Sequence, residues 1–149
     1  MSTREAVVAA ATALVDRDCA LTLRAVAREA DLPTSSIYPH FPDSAAILLA
    51  VCRKAFAELS AAVLSAPDVH AASAAYLDFA ARHPRRYRVM FGAADLSEPA
   101  LRLFTRVLAD SGRAMTFWLG LHGLADQRAS IRRSPQFIVI APRLIRSLV

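Results

Sequence analysis

The sequence predicts an all-α fold, and three observations carry that reading. Ala, Leu and Val dominate a composition that is 55% hydrophobic, and these residues favour helix over structures that need glycine-rich turns. Only 4 glycines are spread along 149 residues. Apolar residues recur at the i, i+3, i+4, i+7 spacing of one helical face, in segments separated by Pro, Gly and Asp. A chain of this length buries one sizeable core, or a small unit fused to a helical body that shares its core.

The first helix runs from Glu5 to Arg17, with Val7, Ala10, Ala11 and Leu14 on one face. Asp16 to Ala20 breaks the pattern, and Thr22 caps a second helix striped by Leu23, Val26, Ala27 and Ala30. Asp31-Leu32-Pro33 forces a turn, since Pro33 drives Leu32 out of the α region and has no N–H to donate. Thr34, Ser35 and Ser36 each suit the cap of a short third helix running toward Phe41. Pro42-Asp43-Ser44 stops it and caps a long fourth helix, carrying Ile47, Leu48, Val51, Cys52, Ala55, Phe56 and Leu59 as far as Ala66-Pro67. A fifth helix with Ala72, Ala75, Tyr76, Phe79 and Ala80 ends near His83-Pro84, and Arg85 to Phe91 forms a short sixth, ended by Gly92. Ser97 and Pro99 open a helix with Leu101, Phe104 and Leu108, interrupted at Gly112. Trp118, Leu121, His122 and Ala125 share a face of the next, and a last segment from Phe137 is broken by Pro142.

Several function classes are excluded or weakened. The longest apolar run, Ala45 to Cys52, is eight residues, against roughly 20 for a membrane span. With no cleavable leader pattern at the N-terminus, a cytoplasmic location is expected. Cys19 and Cys52 give neither a disulfide framework nor a metal-ligand pair, and both read as reduced, buried thiols. The histidines at 40, 70, 83 and 122 are scattered, so no metal site is expected, and no cofactor-binding or catalytic motif is present. The net charge of +5 is uneven: residues 1–60 hold six basic against seven acidic side chains, and the excess lies beyond them. Four arginines between Arg82 and Arg88 read as a solvated face.

Two short helices, a tight turn and a third short helix between Thr22 and Phe41 have the size and order of a helix-turn-helix. Its logic is access: a major groove about 12 Å wide admits one helix, which the preceding helix braces while aiming its own N-terminus at a phosphate. Thr22 holds that N-terminal position. Considered singly, Thr22 and the serines are helix caps, and Tyr38 and His40 are surface residues.

The run Leu21-Thr22-Leu23-Arg24-Ala25-Val26-Ala27-Arg28-Glu29-Ala30, with Ile37-Tyr38-Pro39-His40-Phe41-Pro42-Asp43 after it, resembles the signature of the TetR family over about Arg4 to Val51. The resemblance implies a DNA-binding unit over residues 1–46 in which Thr22, Arg24, Thr34, Ser35, Ser36, Tyr38 and His40 approach DNA while Phe41 is core. Three positions depart from the family's pattern. Pro39 lies inside the recognition helix, Asp31 replaces the usual turn glycine, and Ser44 stands where a phosphate-binding Lys is common.

Trp118-x-x-x-His122-Gly123-Leu124, with Tyr76 to Ala80 and His83 to Phe91, is similar to the regulatory half of one TetR subgroup. That half, residues 47–149, reads as a short helical bundle for ligand binding and dimerisation. Trp118 and His122 alone are core residues, while Gly120 and Gly123 allow close helix approach. Apolar helical faces and the resemblance together mark Tyr76, Phe79, Tyr87, Met90, Phe91, Phe104, Trp118 and His122 as a site for a small apolar effector. The expected protein is a homodimeric, ligand-responsive repressor on a palindromic operator. The competing reading is a helical ligand-binding or dimerisation protein without specific DNA binding.

Overall fold

The computed structural model describes residues 1–130 and 142–147, with side chains through residue 127 and again over 142–147. Among the described residues every regular element is helical. No helix among them is long and apolar enough to cross a membrane. Their contacts divide the chain into two units, Met1–Ala55 and Phe56–Val149.

In the first unit, α1 (Thr3–Asp16) opens with a reciprocal cap. The Glu5 amide donates to Ser2 Oγ at 3.2 Å, and the Ser2 amide donates to Glu5 Oε2 at 2.7 Å. At its other end Asp18 takes a left-handed φ of 60°. The Cys19 amide then reaches back to the Leu14 carbonyl and the Asp18 amide to that of Val15, the paired bonds of a Schellman ending. Helix α2 (Leu23–Glu29) ends by the same device, with Asp31 at φ 53° and the Leu32 amide on the Ala27 carbonyl. Aspartate thus supplies the left-handed position where glycine is usual.

The expected third α-helix is instead a 3₁₀ turn, Thr34–Ser36, running into a looser turn that ends at Phe41. The amides of Ser36, Ile37 and His40 reach three residues back, to Pro33, Thr34 and Ile37. Pro39 explains the shortfall, since it has no amide for the Ser35 carbonyl and disfavours α geometry at Tyr38. Pro33, in extended geometry, occupies the cap position without a side-chain bond, so Thr34, Ser35 and Ser36 form the turn rather than cap it.

Helix α3 (Ser44–Leu64) starts on Asp43, whose Oδ1 accepts the Ala46 amide at 2.8 Å. Ile47, Val51, Cys52 and Ala55 are buried along its first half, in the unit whose core holds Val7, Ala11, Val26, Ile37 and Phe41. The division at Ala55 lies further along this helix than the boundary after residue 46, because these four side chains belong to the N-terminal core. Cys52 is buried as expected, but Cys19, on the exposed end of α1, is not.

In the second unit α7 (Ser111–Ser130) packs against α4 (Val69–Arg82), α5 (Pro84–Phe91) and α6 (Ser97–Leu108). Asp68 caps α4 by accepting the Ala71 amide, and Pro84 opens α5 at a position where no amide is needed. Three boundaries differ from expectation. Ser97 lies inside α6, its hydroxyl donating to Asp95 rather than capping. The break before α7 falls at Ala109, with φ 53°, and at Asp110, which accepts the Gly112 and Arg113 amides, so Gly112 is within the helix. Pro142 does not break a helix but begins a helical turn over 142–147, and the remainder of the segment expected from Phe137 lies outside the described residues.

Candidate functional site

Local geometry puts most of the expected DNA-contacting side chains on the surface of the first unit. Thr22, Arg24, Ser35, Tyr38 and His40 are exposed, and Thr34 and Ser36 half-buried. Tyr38 is 56% exposed between the fully buried Ile37 and the 3% exposed Phe41. Those two apolar anchors hold the segment, while the turn geometry leaves a large amphipathic ring in solvent. Thr22 Oγ1 accepts the Ala25 amide at 3.1 Å. A hydroxyl has two acceptor sites and one donor, so this cap leaves the Thr22 proton free to donate.

Six of the eight expected effector residues, Tyr76, Tyr87, Phe91, Phe104, Trp118 and His122, pack against one another as a cluster in the second unit. Tyr76, Phe79, Tyr87, Met90, Phe104 and Trp118 are buried, and Phe91 and His122 half-buried. Tyr76 meets Tyr87 and Phe104 edge-on with ring centroids 5.9 and 5.4 Å apart. His122 stacks on Trp118 at 5.1 Å and meets Phe91 at 4.9 Å. Phe79 lies against His83.

A polar chain runs through this apolar cluster. Trp118 Nε1–H donates to the Tyr76 hydroxyl at 3.3 Å, the Tyr76 and Tyr87 hydroxyls are 2.9 Å apart, and Tyr87 is 2.6 Å from His122 Nδ1. Burial pushes the Tyr76 phenol up to about 12 and the Tyr87 phenol higher still, with Tyr76 adding to the latter. Both phenols are therefore neutral at pH 7. Burial lowers the His122 pKa, against a weaker opposing pull from Asp126. Apolar helical faces and the family resemblance grouped these residues without pairing their polar atoms, because pairing depends on the rotation of α4, α5 and α7 about their axes.

Sequence reasoning also missed the outer face of α7. Met115 is 44% and Leu119 54% exposed, and among the described residues nothing lies near the missing Cβ of Gly123. These positions follow i, i+4 and i+8 spacing opposite the buried stripe of Ala114, Phe117, Trp118 and Leu121. A second apolar stripe on that helix is the signal the sequence carries for them.

No family model matches the sequence, and no curated protein does. Among solved structures the chain is similar to a bacterial regulatory protein in the TetR family from Rhodococcus RHA1. The identity is 20%, the match covers 99% of this chain and 96% of that one, and the TM-score is 0.72. It is also similar to a protein described as a transcriptional regulator from Pseudomonas aeruginosa PAO1, at 17% identity, 97% and 89% coverage and a TM-score of 0.59. Over nearly its whole length, the chain has the all-helical fold of a TetR-family regulator.

Proposed function

We propose that the protein is a sequence-specific, DNA-binding transcriptional regulator that acts in the cytoplasm as a homodimeric repressor of a palindromic operator. The observation that carries this reading is the exposed Tyr38, set with Ser35 and His40 on the segment that follows α2 in a TetR-like fold. In this reading the segment bearing Ser35, Ser36 and Tyr38 enters the major groove, with the hydroxyls and His40 mostly at phosphates and Arg24 near the backbone. Two copies related by a twofold axis place two such segments on a palindrome. The exposed stripe of Met115, Leu119 and Gly123 on α7 supports pairing of the second unit.

The effector is an apolar small molecule that enters the ring cluster and replaces contacts between α5 and α7, such as Phe91 on Trp118 and His122. Its differential affinity for the two helix spacings shifts the population away from the DNA-bound form.

Selection of genomic fragments by the purified chain, beside a Tyr38→Ala, His40→Ala double variant, tests the DNA reading. An enriched palindrome that the variant loses is the expected result. No enrichment by either protein supports the competing reading of a helical ligand-binding or dimerisation protein, for which the shortened recognition segment is the structural argument.

A further inference from the structure

The first sixty residues carry more acid than base, yet their charges are segregated. Glu29 is held by Arg17 at 2.6 Å, Asp43 caps α3, and Asp18 and Asp31 occupy the helix-ending turns. Arg4, Arg53 and Lys54, by contrast, gather along a groove of about 790 Å³ between α1 and α3, with Val8 and Ala50 in its apolar lining. The groove's one carboxylate, Glu5, is engaged by the Ser2 amide, and its pKa is lowered by that bond first and by Lys54 to a lesser degree. The groove therefore presents two positive charges beyond what Glu5 offsets. Its Arg4 guanidinium lies 5.3 Å from the centroid of the Phe41 ring. That buried ring ends the segment bearing Tyr38 and His40, so the groove's Arg4 lies against the anchor of the recognition segment.

We propose that this groove is a second phosphate-binding surface, which holds the DNA backbone flanking the sequence read by the recognition segment. Arg53 and Lys54 are the phosphate contacts, and Arg4 links them to the reading surface. The inference rests on the DNA-binding reading above. The chemistry fits duplex backbone: a guanidinium fork matches phosphate oxygens, an ammonium adds a point charge, and each neutralised phosphate releases condensed counterions. The placement answers a gap in the helix-turn-helix itself, because α3 begins at Ser44 without a cation. Arg53 and Lys54 lie roughly 15 Å further along that helix, at 1.5 Å per residue, and in this proposal they engage phosphates outside the core site.

The test compares full-length wild type with Arg53→Gln, Lys54→Gln on a genomic fragment enriched by the wild type, with the dissociation constant measured across salt concentration. The variant is expected to lower the slope of log K against log salt by about 2, at about 0.9 per phosphate. Preference for the enriched fragment over a scrambled duplex stays the same. On a duplex trimmed to the palindromic core, the two proteins converge. An unchanged slope on the long fragment overturns the inference while leaving the DNA reading intact. A difference that persists on the trimmed duplex overturns the assignment to flanking backbone. Failure of wild type to bind any duplex at low salt removes the DNA reading, and this inference with it.

Discussion

The Trp118 indole can only donate, and its N–H points to Tyr76. With a neutral His122 accepting at Nδ1, donation from Tyr76 to Tyr87 and from Tyr87 to His122 gives all three protons of the chain an acceptor. A proton added at Nδ1 turns the Tyr87–His122 bond round and leaves one of the two tyrosine O–H groups without an acceptor in the chain. Geometry and burial thus both favour the neutral ring, whose folded pKa lies below the ordinary 6.5. Below pH 6.5 the unfolded chain binds more protons than the folded one. The stability from the neutral ring is complete above that pH and is lost as pH falls through the lower folded value. The melting temperature is accordingly expected to fall from pH 7 to pH 5, and to fall less in His122→Gln. Parallel curves for the two proteins contradict the assignment. Tyr76→Phe removes the acceptor of the Trp118 N–H, and urea unfolding at pH 7 is expected to show a loss of about 1–3 kcal/mol, the cost of an unsatisfied buried donor. A loss below about 0.5 kcal/mol contradicts the chain. Apolar spacing marks the helical faces these residues share, and the pairing of their polar atoms follows only from how the helices are rotated.

Helix endings decide how much of each element was legible. Asp31 was readable because Pro33 forces a turn beside it and Asp tolerates positive φ; Asp18 performs the same task without a proline to announce it. Ala109, at φ 53°, was not legible, since alanine pays a steric cost there and gives no turn signal. The Gly112 that drew attention instead sits inside α7, where Asp110 caps the first turn. Ala109→Gly is therefore expected to raise stability by about 1 kcal/mol, opposite in sign to the usual effect of glycine near a helix. Chemical unfolding checks it, and destabilisation contradicts the left-handed assignment. The recognition segment was legible in position but not in type. Thr22, Pro33 and Phe41 mark its limits, and Pro39 reduces an α-helix to a 3₁₀ turn.

For the whole molecule, helix order followed from the 3.6-residue period of buried side chains, which both units obey. The charge count pointed away from DNA because it summed acids engaged at caps and turns with cations gathered in one groove. The outward stripe of α7 was hidden because its apolar residues, Met115 and Leu119, interleave with the buried ones. If that stripe pairs two copies, Leu119→Glu shifts the protein from dimer to monomer in analytical ultracentrifugation; an unchanged dimer contradicts pairing through this face. The measurement that tests the central claim most directly is a hydroxyl-radical footprint of the full chain on its enriched fragment. The account predicts two symmetric protected patches separated by one helical turn, about 34–36 Å, or a multiple of it, both lost in Tyr38→Ala, His40→Ala. Protection without symmetry, or protection unchanged in that variant, contradicts it.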